Sequence, residues 1–118
     1  MTVSKSVLRG ELYWVNLDPT VGAEIRKQRP AIIVSNNTAN RYSPLVTILP
    51  ISSQVKKAYP FEVFLAAGIG GLEHSSLIKA NQIRTIDKQR LIGLPLGTIT
   101  DATVLASINQ SIRIHLSI

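Results

Sequence analysis

A small, mainly antiparallel β-barrel closed by one long C-terminal helix is the fold class this sequence predicts. Short runs rich in β-branched and aromatic residues recur between Pro, Gly, Asn and Asp clusters, the pattern of strands and turns. No helical stretch alternates with those runs, so the chain has no βαβ rhythm. Near the end, Val104, Leu105, Ile108, Ile112 and Leu116 repeat at helical spacing. With 118 residues, 45% apolar and 17% charged, the chain is read as one domain over 1–118, with no internal repeat and no linker.

Met1 to Leu8 is polar and basic and is read as a frayed arm. Glu11 to Leu17 forms the first strand, and Asp18-Pro19-Thr20 is a turn signal. The loop from Val21 to Gln28 carries Gly22, Glu24, Arg26 and Lys27. A second strand follows from about Pro30 to Ser35, its apolar β-branched run reading as buried on both faces. Pro30 is tolerated there as the entry residue. Asn36 to Pro44 is polar and turn-rich, with room for one helical turn.

Leu45 to Ser52 is the third strand. Pro50 cannot donate to a ladder and so marks an edge or a bulge. Ser53 to Pro60 is a loop, and Phe61 to Leu65 a fourth strand with alternating pattern. Gly68, Gly70 and Gly71 make a bend that matches no phosphate-cradling motif. Ser76 to Ala80 is a short strand, and Asn81 to Ile86 another turn or strand. Asp87 to Arg90 is a charged turn or a helical turn. Ile92 to Thr98, interrupted by Gly93 and Pro95, is read as a short strand. The terminal helix runs from about Asp101 to Leu116, with Thr100 as N-cap and Asp101 in the first turn.

Composition narrows the function classes. Thirteen Lys and Arg against seven Asp and Glu give a net charge of +6 and a pI near 10.1, a balance suited to an anionic partner such as nucleic acid. The absence of cysteine removes disulfides, thiolate zinc sites and thiol nucleophiles. The N-terminal residues lack the apolar region of a signal peptide, and no apolar run approaches the ~20 residues of a membrane span. The expectation is a soluble, cytoplasmic protein. P-loop, HExxH and GxSxG signatures are missing. His74 is read as a solvated loop residue, and His115 as capping or packing at the helix end. No His/Asp/Glu cluster has ligand spacing, so neither a metal nor another cofactor is expected.

What remains is a basic loop, Arg26-Lys27-Gln28-Arg29, emptying through an Arg-Pro step into a buried strand, with Ser52-Ser53 at the end of the next. RNA carries its own nucleophile, the 2′-hydroxyl beside the scissile phosphate. Its cleavage needs in-line positioning, stabilisation of the phosphorane charge and proton transfer, but no protein nucleophile. On this reading Arg29 holds the non-bridging oxygens with its fork of donors. Ser52 adds a hydrogen bond, and Glu24 accepts a proton or orients Arg29. A carboxylate of ordinary pKa, ~4.3, is a weak base at neutral pH. The bland reading stands beside it: Arg29 as a structural strand-entry residue, and Glu24 and Arg29 as a surface ion pair.

Six stretches occur in a recognisable order: Arg9 to Thr20, Gly22-Ala23-Glu24, Arg29 to Ser35, Ser43-Pro44, Tyr59 to Val63 and Asn81 to Lys88. Together they resemble the MazF/PemK family of toxin endoribonucleases, the mRNA interferases of bacterial type II toxin–antitoxin pairs. The resemblance implies an SH3-like barrel of the Kid/MazF/CcdB kind, acting as a homodimer on single-stranded RNA without metal. It also implies neutralisation by a cognate antitoxin whose C-terminal segment occupies the RNA groove. The family's catalytic Arg, Ser/Thr and loop Glu fall on Arg29, Ser52 and Glu24. RNA binding is expected of Arg26, Lys27 and Gln28 in the loop, of Ser53, Lys56 and Lys57 after the third strand, and of Lys79, Asn81 and Gln82.

Two positions depart from the family pattern. Some members use an acidic residue at Asn81 with an Arg at Lys79 as an acid/base pair, which cannot operate here. Many have Asp at Asn16. Both departures leave the general base open. Two other functions fit a barrel of this kind: a CcdB-like toxin that poisons DNA gyrase by protein contact, and a plain RNA-binding or SH3-like module. The low aromatic content, 5%, argues against extensive base-stacking platforms.

Overall fold

A computed structural model describes residues 6–118. It contains seven strands, β1 (Glu11–Asn16), β2 (Gln28–Ile33), β3 (Leu45–Ser52), β4 (Glu62–Leu65), β5 (Ser76–Lys79), β6 (Arg84–Asp87) and β7 (Leu91–Thr98). Two helices accompany them, α1 (Asn37–Tyr42) and α2 (Ala102–Leu116). The strands form one sheet in the order β4-β5-β3-β2-β1-β7, with β6 also paired to β3 and every pairing antiparallel. The mainly β fold with a C-terminal helix is the one the sequence predicts.

Strand β3 holds the sheet together. One of its edges pairs with β2. Its other edge pairs first with β6, through Leu45 to Ile48, and then with β5, through Ile51 and Ser52. Pro50 sits in the gap between those two partners. The Val34 N–H donates to the Thr47 carbonyl, so the two-residue period of the ladder aims the Leu49 N–H at β2 and the Pro50 nitrogen into the gap. The missing donor is therefore accommodated inside the sheet, at a change of partner rather than at an outer edge.

The alternation of side chains sends each central strand into two cores. Leu12, Ile32, Leu49 and Ile51 face one cluster, with Ile78, Leu65 and Ile108. Tyr13, Val15, Ala31, Ile33, Val46 and Ile48 face the other, with Ile86 and Leu91. This double burial explains the continuous apolar runs in β2 and β3. Helix α2 lays Val104, Leu105, Ile108 and Ile112 on the first cluster, while Leu116 is left 46% exposed.

Several expected boundaries shift. The α2 N-cap is Asp101, whose carboxylate accepts the Val104 N–H at 3.0 Å; Thr100 is exposed and outside the helix. The charged acceptor three residues from a free N–H supplies the cap. The expected frayed arm partly lies outside the described residues, but Val7 is buried in the second cluster and anchors the chain before β1. The run Asn36 to Pro44 contains a true helix, capped by Asn36 Oδ1 accepting from the Ala39 N–H at 2.8 Å. Asn81 to Ile86 and Asp87 to Arg90 resolve into the 3₁₀ turns Ala80–Gln82 and Lys88–Arg90 flanking β6.

The glycine bend is a packing device. Gly71 has φ +82°, and a Cβ there would lie 2.1 Å from the Leu96 carbonyl oxygen, so the turn Ile69–Gly71 rests directly on β7. Gly22, with φ +57°, has open space around it. Gly71→Ala is therefore expected to cost about 3 kcal/mol or more, combining left-handed strain with backbone overlap, whereas Gly22→Ala costs about 1–2 kcal/mol. Urea unfolding of the two variants checks the ranking; equal losses would contradict the close approach.

Candidate nucleic-acid interface and active site

The β2–β3 ladder ends at Ala31 opposite Pro50. Carried two residues further, its register would set Arg29 across from Ser52, but beyond Pro50 strand β3 turns away to pair with β5. The strands splay and leave a cleft of about 240 Å³. Arg29 and Pro30 line it from β2, Ile51 and Ser53 from the end of β3, and Trp14 from β1. Opposite them lie Glu73 and His74. The Arg29 guanidinium has no hydrogen bond or ion pair among the described residues and is exposed. A rigid buried strand thus presents an uncommitted fork of donors at the cleft.

Ser52 faces a second, smaller cleft of about 100 Å³ with Lys56, Lys57 and Lys79. Its hydroxyl accepts the Gln54 N–H at 3.2 Å, which orders the turn after β3. Glu24 lies in a third cleft, about 370 Å³, with Asn81, Gln82 and Arg84. Its carboxylate accepts the Val21 N–H at 2.6 Å, and no ion pair joins it to Arg29 among the described residues. The three sequence-predicted catalytic residues therefore surround the end of β3 from separate depressions.

The β1–β2 loop that carries Glu24, Arg26 and Lys27 is staked from β6 and from the turn before β7. Arg84 donates to the Leu17 carbonyl at 2.7 Å, and Arg90 to the carbonyls of Asn16 and Asp18. Gln82 Oε1 accepts the Ile25 N–H at 3.3 Å. The loop is closed by the Leu17 N–H on the Lys27 carbonyl and by the Lys27 N–H on Asp18, with Lys27 at φ 69°. Arg26, Lys27 and Gln28 remain exposed along the rim, as do Lys56 and Lys57 across from it.

Two of the expected binders also make structural contacts. Lys79 pairs with Glu62 at 2.6 Å, and the Glu62 side chain is only 2% exposed. Burial pushes the Glu62 carboxyl up, but the Lys79 hydrogen bond, the Tyr59 N–H and the Lys79 charge outweigh it and hold the group below its ordinary value. Gln82 spends its carbonyl oxygen on the loop. Trp14, Glu73 and His74 were not singled out as site residues. Trp14 reads as one more strand aromatic, yet it is 42% exposed at the cleft. His115 packs beside Phe61, ring centres 6.3 Å apart, and lines none of these three clefts. No three His, Asp or Glu side chains among the described residues converge to hold an ion, and no described helix is long and apolar enough to cross a membrane.

A family model described as PemK-like, MazF-like toxin of type II toxin–antitoxin system matches residues 8–116. The chain belongs to this toxin family. Endoribonuclease MazF9 of Mycobacterium tuberculosis is 38% identical over 115 residues, covering 93% of this chain and 96% of that protein. Among solved structures, MazF from Deinococcus radiodurans superposes with a TM-score of 0.81 at 30% identity, covering 96% and 98% of the two chains. A mycobacterial endoribonuclease in complex with its cognate antitoxin gives 0.77 at 26% identity, covering 95% and 96%. These likenesses favour an RNA-cleaving toxin over a CcdB-like gyrase poison.

The Glu62–Lys79 pair sets a pH-dependent element beneath the site. Because Glu62 is depressed in the folded state, its stabilisation is present above the ordinary value of 4.5 and is lost as pH falls through the lower folded value. Lys79→Met is expected to cost about 2–3 kcal/mol at pH 7, since it strands a buried carboxylate. The difference from the wild type shrinks below about pH 4 as Glu62 takes up a proton. Thermal melts at both pH values check this; a constant difference would contradict it.

Proposed function

We propose that this toxin is a metal-independent endoribonuclease that cuts single-stranded RNA at a short sequence. The 2′-hydroxyl attacks the adjacent phosphorus, yielding a 2′,3′-cyclic phosphate, or its hydrolysed 3′-phosphate, and a 5′-hydroxyl. The uncommitted Arg29 guanidinium at the mouth of the β2–β3 splay carries the reading. It holds the non-bridging oxygens and gains strength as their charge grows towards the phosphorane. Ser52 and Ser53, on successive residues, offer hydroxyls from the two clefts that meet at the end of β3. Glu24 shapes its own loop and contacts the nucleotide from the third cleft.

RNA then lies over the rim of Arg26, Lys27, Gln28, Lys56 and Lys57, whose exposed side chains supply backbone attraction. Asn81 and the free amide nitrogen of Gln82 face the Glu24 cleft and suit hydrogen bonding to base edges. Lys79 contributes through Glu62 rather than as a free cation. A second copy of the chain completes a homodimer. A cognate antitoxin, such as the one bound to the mycobacterial relative, blocks the groove with its C-terminal segment. Access to cellular messenger RNA places the protein in the cytoplasm.

Arg29→Ala is expected to lower cleavage of single-stranded RNA in EDTA by about 10²-fold or more, with circular dichroism unchanged. Gel assays of a labelled RNA with 5′-hydroxyl end mapping test it. Undiminished cutting by the variant would remove Arg29 from the mechanism.

A further inference from the structure

Neither Arg29 nor a serine can release a proton near neutral pH, and the Glu24 carboxylate lies in a different depression from Arg29. The 5′-oxygen leaves poorly as an alkoxide, so the reaction needs a proton at that atom. The Arg29 cleft holds one imidazole, that of His74, and imidazole is the side chain most often used as a general acid. We propose that His74 is the general acid of the cleavage, an inference that rests on the ribonuclease reading above.

The loop geometry favours such a role. His74 sits between Leu72, 6% exposed, and Ser76, 3% exposed, so both flanks of its short segment are fastened in the core. The Ser76 hydroxyl donates to the His74 carbonyl at 2.8 Å and fixes its backbone. The imidazole is exposed and has no hydrogen-bond partner among the described residues. The ionisable groups that share the cleft with it are Glu73 on the same loop and Arg29 on β2. The walls from β1 and β7, Trp14 and Leu96, carry no ionisable group. The phosphate, held by Arg29, then lies between a donor fork on one wall and an imidazolium on the other.

In the step, the 2′-oxygen forms its bond to phosphorus as the bond from phosphorus to the 5′-oxygen breaks. The 2′-hydroxyl proton passes to water, and the imidazolium proton passes to the departing 5′-oxygen. Neutral His74 is reprotonated from solvent. No oxidant, metal or covalent enzyme intermediate enters the balance.

The deciding experiment compares wild type, His74→Ala and His74→Gln on two RNAs identical except that one has sulfur in place of the bridging 5′-oxygen. A thiolate leaves without protonation. Both variants are expected to cut the oxygen substrate about 10²-fold more slowly or worse, and to cut the sulfur substrate about as fast as the wild type. Equal losses on both substrates, or no loss on the oxygen substrate, overturn the assignment while leaving the nuclease intact. A wild type that cuts neither substrate overturns the ribonuclease reading itself, and the assignment with it.

Discussion

Strand β3 pairs with β6 and then with β5 on one edge, while its ladder with β2 on the other stops short of the strand's end. It carries β6 as far as Ile48 and β5 from Ile51, and between them Pro50 leaves no N–H to satisfy. At that same change of partner the ladder with β2 ends, at Ala31 opposite Pro50. The cleft of the candidate site is the space this opens. A backbone that would otherwise be zipped shut instead exposes Arg29, Pro30, Ile51 and Ser53, all attached to strands buried on both faces. Rigidity and accessibility thus come from the same feature, a condition that phosphate positioning requires.

The distribution of charge follows a division of labour. Arg84 and Arg90 are consumed by backbone carbonyls at the end of β1, and Lys79 by Glu62. They hold the β1–β2 loop and the β4–β5 pair in place. Arg26, Lys27, Arg29, Lys56 and Lys57 are exposed around the end of β3. The net charge of +6 is therefore less informative than its allocation: the committed cations shape the clefts, and these five form an exposed basic rim at the end of β3.

Much of this was legible in the residues. The apolar runs of β2 and β3, the helical spacing of α2 and the Arg29-Pro30 step encode local geometry directly, and the ordered motifs identify the family. Pro50 was readable as an interruption but not as a switch of partner, because that depends on which distant strand fills each edge. Lys79 illustrates the same limit. Its pairing with Glu62 arises from a register across β4 and β5, and residues seventeen apart carry no local sign of it. Trp14 and His74 were hidden differently. Each looks ordinary in its own segment, a strand aromatic and a loop histidine; the β1–β2 register sets Trp14 opposite Pro30, and the long-range fold brings His74 to the same cleft. Thr100 lost the N-cap to Asp101 because two adjacent residues were both chemically able to cap, and the path of the chain decided between them.

The central claim is that the substrate supplies the nucleophile and the protein supplies its alignment. It is tested most directly by a single atom. An RNA oligonucleotide containing one cleavage site is compared with the same strand bearing a 2′-deoxy sugar on the 5′ side of the scissile phosphate, both in EDTA. The account predicts that the deoxy strand binds with similar affinity and is not cut at that phosphate. Cutting of the deoxy strand at the same position and a comparable rate would show that the attacking oxygen comes from elsewhere and would contradict it.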